Sequence, residues 1–229
     1  MQSKLLETRM IFLYREQNIF KAFHENKVNE FLKTTISHYK FKQAILLNEG
    51  FPFGADTQIP RLQIKSVNND VIIIFAEERL DIILNHEGSS YDFKNITNNF
   101  NNFYKFLENM GFYPTRLAFQ GNYICVHQNP EQVLLNKINL KFVNPIEPIL
   151  QVGERYSAGN SDFHINDTYT LKTGIQDLVT SKNKVIIITR DMNTNENNNK
   201  ILDENILSLF KDKVNNFVAD NKVDEYLGG

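Results

Sequence analysis

The chain has no tryptophan, a single cysteine and almost no net charge, with 25 basic against 27 acidic residues. The lone Cys125 cannot close an internal disulfide, which fits a reducing compartment rather than secretion. A formal charge of −2 gives the molecule no overall pull toward nucleic acid or an anionic membrane, so only a local basic patch could provide one. The ten glycines are scattered and form neither GxxxxGK nor GxGxxG, so the sequence carries no phosphate-cradling loop. HExxH and CxxC are missing too. No apolar run approaches the ~18 residues of a membrane span, and Met10–Tyr14 is too short for the core of a signal peptide. The expectation is a cytoplasmic protein with no membrane partner.

What is present is a folding chain. Its 229 residues are 41% apolar and 23% charged and include 18 phenylalanines, richer in aromatics than a disordered chain. Abundant Asn and Ile, with far more Lys than Arg, suggest an AT-rich genome, that of a bacterium or phage. The triplets at 95–97 and 166–168 match glycosylation sequons, but in a cytoplasmic protein they carry no meaning.

Apolar periodicity predicts the elements. Met10–Arg15 reads as a strand, and Phe20, Phe23, Val28, Phe31, Leu32 and Ile36 as one face of a helix. Phe41–Leu47 reads as a strand and Glu49–Pro60 as an irregular loop. Arg61–Val67, Val71–Ala76 and Leu80–Asn85 form a meander, with the apolar Val71–Phe75 central in the sheet. A helix over Thr97–Met110 ends at Gly111, which suits the left-handed position after a helix. Arg116–Gln120 and Tyr123–His127 flank Gly121-Asn122, a two-residue hairpin signal. Val143–Val152 reads as a crossover, and Arg155–Ile165, Tyr169–Leu178 and Lys184–Arg190 as strands. A last helix runs from Leu202 through Phe217, with Asp203 as its cap. Phe100, Phe103, Leu107 and Phe210 are expected in the core.

The class this implies is α+β: mostly antiparallel sheet with three or more amphipathic helices packed on it. The expected organisation is an N-terminal lobe over 1–142 and C-terminal strands with a closing helix over 143–229, packed as one unit. An echo between Ile11–Glu16 and Ile187–Asp191, each a strand leading into a helix, raises the expectation of two pseudo-repeated lobes.

Chemistry-bearing residues are sparse. Cys125 and His127 stand two apart on a presumed strand, as a nucleophile and its base would, but a packed thiol and a rim histidine explain them better. His24 and His38 lie on or just beyond the first helix. Asp162, His164 and Asp167 contain metal-ligand types without a third and fourth partner. Asp56 with Gln63-Ile64-Lys65 is a degenerate nuclease pattern in which a glutamine stands where a second carboxylate is wanted. Glu77, Glu78, Arg79 and Glu87 read as solvated turn charges. Tyr91, Phe93, Phe100, Phe103 and Tyr104 cluster, but helical spacing explains the last three as core. No catalytic, cofactor-binding or metal-binding residue is assigned.

The segments Pro60-Arg61-Leu62-Gln63 through Asn85, Phe103–Leu117, Val185–Asn193 and Leu202–Tyr226 follow an order that resembles a sporadically distributed family of uncharacterised bacterial proteins of similar length. The resemblance implies no reaction or cofactor, only a setting of mobile elements or host–phage conflict. A chain of this size without clustered polar motifs is expected to bind another macromolecule, a protein first, rather than to catalyse. The alternative is an enzyme, such as a metal-dependent nuclease, whose site is assembled from dispersed residues. A homo-oligomer and a nucleic-acid partner stay open.

Overall fold

A computed structural model gives the fold and describes residues 3–22, 25–35, 40–42, 44–48, 50–86, 93–137, 148–177, 182–195, 197, 200–217 and 222–228. Strand β1 (Lys4–Leu13) leads into helices α1 (Ile19–Ala22) and α2 (Glu25–Thr35). Strands β2 (Ile45–Leu46), β3 (Leu62–Lys65), β4 (Val71–Phe75) and β5 (Arg79–Asn85) follow, then α3 (Phe93–Asn109). The second half holds β6 (Arg116–Val126), α4 (Pro130–Lys137), β7 (Ile149–Ser157), β8 (His164–Asp177) and β9 (Lys182–Thr194). It ends with α5 (Glu204–Asn216) and α6 (Lys222–Gly228). The nine strands form one sheet in the order β2-β3-β4-β5-β1-β6-β9-β8-β7, every pair antiparallel. The expected class, α+β with an antiparallel sheet, is the one the chain adopts.

The strand order has a centre. β1 and β6 pair from Leu13↔Arg116 to Lys4↔Ile124, with a register shift between Leu5 and Glu7. On one side β5, β4 and β3 follow β1; on the other β9, β8 and β7 follow β6. The first side also carries β2 beyond β3, so the seam divides the sheet into five strands and four. At the seam β1 meets β6. The echo between Ile11–Glu16 and Ile187–Asp191 matches β1 with β9 instead, two strands that hold different places in their halves.

Alternation along the strands separates the two faces. Met10 and Phe12, Ile73 and Phe75, Phe119, Ile186 and Ile188 are buried on the inner face. The helices cover that face through aromatic contacts. Phe31 of α2 meets Phe75 of β4 with ring centroids 5.9 Å apart and Phe103 of α3 at 5.3 Å. Phe100 of α3 stacks on Phe12 of β1 at 5.5 Å and meets Phe210 of α5 at 5.7 Å. Phe100, Phe103, Leu107 and Phe210 are all fully buried, as their spacing predicts. The end of α3 is also as expected: Gly111 has φ 81°, and Phe112 N–H reaches back to the Leu107 carbonyl at 3.0 Å while Gly111 N–H reaches Glu108.

Several local expectations are corrected. Gly121-Asn122 is no hairpin, because β6 runs unbroken through it. Gly121 is there for space: a Cβ at that position would stand 2.7 Å from Cε1 of Phe217, which lies across the strand. The crossover expected at Val143–Val152 already contains β7 from Ile149, and Arg155–Ile165 spans the β7–β8 connection rather than one strand. Phe41–Leu47 reduces to a bridge from Phe41 to Ser66 and the two residues of β2. The first helix is broken into α1 and α2, with Phe23 and Ile36 outside the described residues. Helix α4 has no counterpart among the expected elements, and the closing segment Leu202–Tyr226 is divided between α5 and α6. The boundary at 142/143 lies outside the described residues. Among the described residues no helix is long and apolar enough to cross a membrane.

Candidate functional site

The outer face carries no helix among the described contacts, and its two halves differ. On the β4–β5 side it presents Ile72, Ile74 and Ile83, all half-buried. Arg9, Arg79 and Asp81 lie among them. Asp81 accepts from Arg9 Nη2 at 2.5 Å and from Arg79 Nε at 2.8 Å, one carboxylate shared between two guanidiniums.

On the other side β6, β9 and β8 turn polar side chains outward near their middle, and with β7 these line a shallow basin of about 800 Å³. Register brings the residues together. Asp191 of β9 stands opposite Gln120 of β6 and Thr168 of β8. One step along, Thr189 faces Asn122 and Thr170, and Gly153 of β7 opens the far rim beside Thr168. The floor is thus built of amides and hydroxyls, each both donor and acceptor.

Asp191 is the one carboxylate at the centre of this floor. Burial pushes its pKa up, against weaker downward pulls from the Asn193 and Gln120 amides and from Arg116. Asn193 Nδ2 donates to its Oδ2 at 3.3 Å. Its Oδ1 is buried and has no hydrogen-bond partner. The two nearby arginines are turned elsewhere: Arg116 Nη2 to Asn193 Oδ1 at 3.4 Å and Arg155 Nε to Asn166 Oδ1 at 3.1 Å.

Behind the basin, on the inner face, lies a buried ion pair. Arg190 donates to both oxygens of Asp167, at 3.0 and 2.7 Å, and to the Phe217 carbonyl at 2.6 Å. Its guanidinium sits 4.3 Å from the Phe217 ring centroid and 5.0 Å from that of Tyr169. This ties the end of α5 to the sheet.

The sequence-level candidates do not converge. Asp162 is exposed and pairs with Lys200 at 3.0 Å. His164 begins β8 with its side chain outward, while Asp167 points inward to Arg190. Cys125 is 2% exposed, and burial pushes its thiol pKa up, the packed state that its apolar run predicts. His127 lies just beyond β6 and accepts the Asn129 N–H at Nδ1. Asp56 closes a local turn on Gln58 N–H, and Gln63 and Lys65 lie along β3 opposite Ile74 and Ile72. His24, His38, Glu87 and Tyr91 lie outside the described residues, and nothing is assigned to the Phe93 side chain. Among the described residues no group of three or more His, Cys, Asp or Glu is arranged to hold a metal ion.

Glu77 is a correction. Expected as a solvated turn charge, it is 3% exposed and pairs with the equally buried Arg61 at 2.8 Å. Arg61 also donates to the carbonyls of Asn48, Phe51 and Pro52, and the Phe53 ring centroid lies 4.7 Å from its guanidinium. Gly54 N–H and Asn18 Nδ2 complete the shell of Glu77. The pair is the anchor of the loop over residues 50–60. Glu78 likewise accepts from Glu16 N–H and Thr57 Oγ1.

Sequence reasoning missed the basin. Its signal was the polar set Thr189, Asp191 and Asn193 alternating with Ile188, Arg190 and Met192, repeated at Asn166, Thr168 and Thr170 of β8. Read strand by strand, such alternation means only a wet face. No protein-family model matches the chain, and no curated protein matches it.

Proposed function

We propose that this protein works by binding another macromolecule, a protein, on the outer face of its sheet, and that it does so without catalysing a reaction. The observation that carries the reading is the polar basin over β6, β9, β8 and β7. Its amides and hydroxyls offer paired donors and acceptors, which suit the mixed polar surface of a protein. A phosphate backbone would call for a row of Lys and Arg. Ile72, Ile74 and Ile83 extend the same face with apolar area, and this combination of apolar and hydrogen-bonding surface is usual where proteins meet.

The same reading takes the two halves as lobes of a duplicated unit, supported by the strand order about the β1–β6 seam. A cytoplasmic location and a bacterial or phage setting, with the host–phage conflict that the family resemblance implies, belong to this proposal. The rival, a metal-dependent nuclease, has no comparable support: Asp56 is engaged in a local turn with Gln58.

Affinity capture from a lysate of the source organism tests the reading. Thr168→Trp fills the basin with a rigid side chain. A protein retained by the wild type is expected to be lost with this variant while the melting temperature holds. Equal capture by both would overturn the proposal.

A further inference from the structure

We infer that the first half of the outer face holds a separate binding site, a cleft at Arg9 and Arg79 that takes one carboxylate group carried on a short apolar stem.

Register assembles the cleft. Between β1 and β5, Ile11 stands opposite Asp81 and Leu13 opposite Arg79, and Asp81 also stands opposite Ile74 of β4. Arg9, one outward position from Ile11, reaches Asp81 at 2.5 Å. Gln58 and Pro60 come to the cleft from the loop before β3. That loop is held in advance by the buried Arg61–Glu77 pair and by Glu78 N–H, which donates to the Thr57 carbonyl at 3.1 Å. With Ile74 and Ala76 these residues line about 230 Å³.

Charge selects the ligand. The lining holds two guanidiniums and one carboxylate, and Gln58, Pro60, Ile74 and Ala76 are uncharged. Asp81 is buried, with Oδ2 bonded to Arg9 and Oδ1 to Arg79 Nε at 2.8 Å. The two arginines that hold it repel a further cation. Each guanidinium has more N–H donors than its one bond to Asp81 uses. Arg9 Nε is buried without a hydrogen-bond partner, a state that costs free energy until an acceptor arrives. The acids around the cleft are bonded to other donors: Glu78 to Glu16 N–H and Thr57 Oγ1, Glu7 to Asn122 Nδ2, Asp56 to Gln58 N–H, and Glu77 to Arg61. Among the described residues none of these four lines the cleft. The planar fork of arginine matches a carboxylate through paired bonds. A single surplus positive charge suits a monoanion, and the Ile74, Ala76 and Pro60 surfaces suit methylene groups better than further phosphate oxygens.

The experiment uses small ligands and the intact chain. The ¹⁵N–¹H resonances of the Arg9 and Arg79 Nε groups, assigned by their loss in Arg9→Lys and Arg79→Lys, are followed at constant ionic strength during titration with butyrate. Both are expected to move and to saturate with a dissociation constant on the order of millimolar. Butyramide, the uncharged isostere, is expected to move neither, and inorganic phosphate to bind more weakly than butyrate. No saturable response to butyrate would overturn the inference, as would an equal response to butyramide or phosphate binding as tight as that of butyrate. Lysine keeps the charge beside Asp81 but loses the fork, so butyrate binding at the remaining arginine is expected to weaken about ten-fold in each variant. Unchanged affinity in both would overturn the inference too.

The source of the carboxylate is read with acetyl-Gly-Glu-Gly-amide. If the peptide moves both resonances as butyrate does, the site takes an acidic side chain of a protein. If butyrate binds and the peptide does not, it takes a free small acid; either result supports a carboxylate site. Capture with Thr168→Trp judges the basin separately, so either reading can fail without the other.

Discussion

On each side of the β1–β6 seam the described residues include a buried arginine–carboxylate pair, yet the two pairs restrain different things. Arg61–Glu77 holds a loop: its remaining donors go to the carbonyls of Asn48, Phe51 and Pro52. Arg190–Asp167 holds a helix end, through the Phe217 carbonyl and ring, directly under the polar basin. The outer faces diverge in parallel, isoleucine-rich on the first side and amide- and hydroxyl-rich on the second. The difference teaches that the same buried pairing can hold a loop in one place and a helix end in another, according to where the arginine's remaining donors go.

Breaking the two pairs should separate them most. Asp167→Ala leaves Arg190 charged and enclosed between Tyr169 and Phe217 and is expected to cost about 3–5 kcal/mol, read as a loss of the whole cooperative transition in urea. Glu77→Ala leaves Arg61 with three backbone carbonyls, and the expected loss is about 1–3 kcal/mol. Proteolysis within residues 50–60 should rise before global unfolding does. Equal losses in the two variants would erase the contrast between a helix anchor and a loop anchor.

Gly121→Ala probes the seam between the halves. The new methyl meets the Phe217 ring at 2.7 Å, and overpacking is expected to cost about 1–3 kcal/mol in thermal melts. A neutral result would mean that Phe217 moves aside freely, and the helix anchor would lose its meaning.

Asp203 sharpens the picture of α5. Burial pushes its pKa up, but bonds from Ser161 Oγ and from the Ile206 and Asn205 N–H groups outweigh this and hold it below the ordinary carboxylate range. A depressed pKa means stability that is fully present at neutral pH and is lost as pH falls below that range. Asp203→Ala should cost about 1 kcal/mol at neutral pH, with the difference from wild type shrinking in acid.

The smallest effect is expected at Asp191. Its raised pKa has the opposite sign: the charged form is disfavoured in the fold, and this penalty is present above the raised pKa and vanishes as pH falls through it. Asp191→Asn should therefore melt within about 0.5 kcal/mol of wild type or slightly above it at neutral pH. A clear destabilisation would show that the carboxylate serves the fold rather than a ligand.

The legible parts of the sequence were those set by neighbours along the chain. The meander of β3, β4 and β5 followed from alternation, the end of α3 from Gly111 and Phe112, and the start of α5 from Asp203. Where a residue answers to a distant partner, local patterns misled. Gly121 looked like a turn because its reason for being glycine, the Phe217 ring, lies almost a hundred positions away. Glu77 looked solvated because Arg61 had not been brought to it. The basin draws Gln120, Thr168 and Asp191 from three strands, and no window of sequence contains them together.

The seam also orders events in time. β1 finds its neighbours only when β5 and β6 exist, residues 79–85 and 116–126. The strand made early thus waits with both edges bare until β5 is complete at residue 85, and with one edge bare until β6 is complete at residue 126. Pairings this distant are slow to close, because ordering the intervening chain precedes the contacts that reward it. Until β6 arrives, the run Met10-Ile11-Phe12-Leu13 keeps an unpaired apolar edge, the kind of surface that chaperones shield.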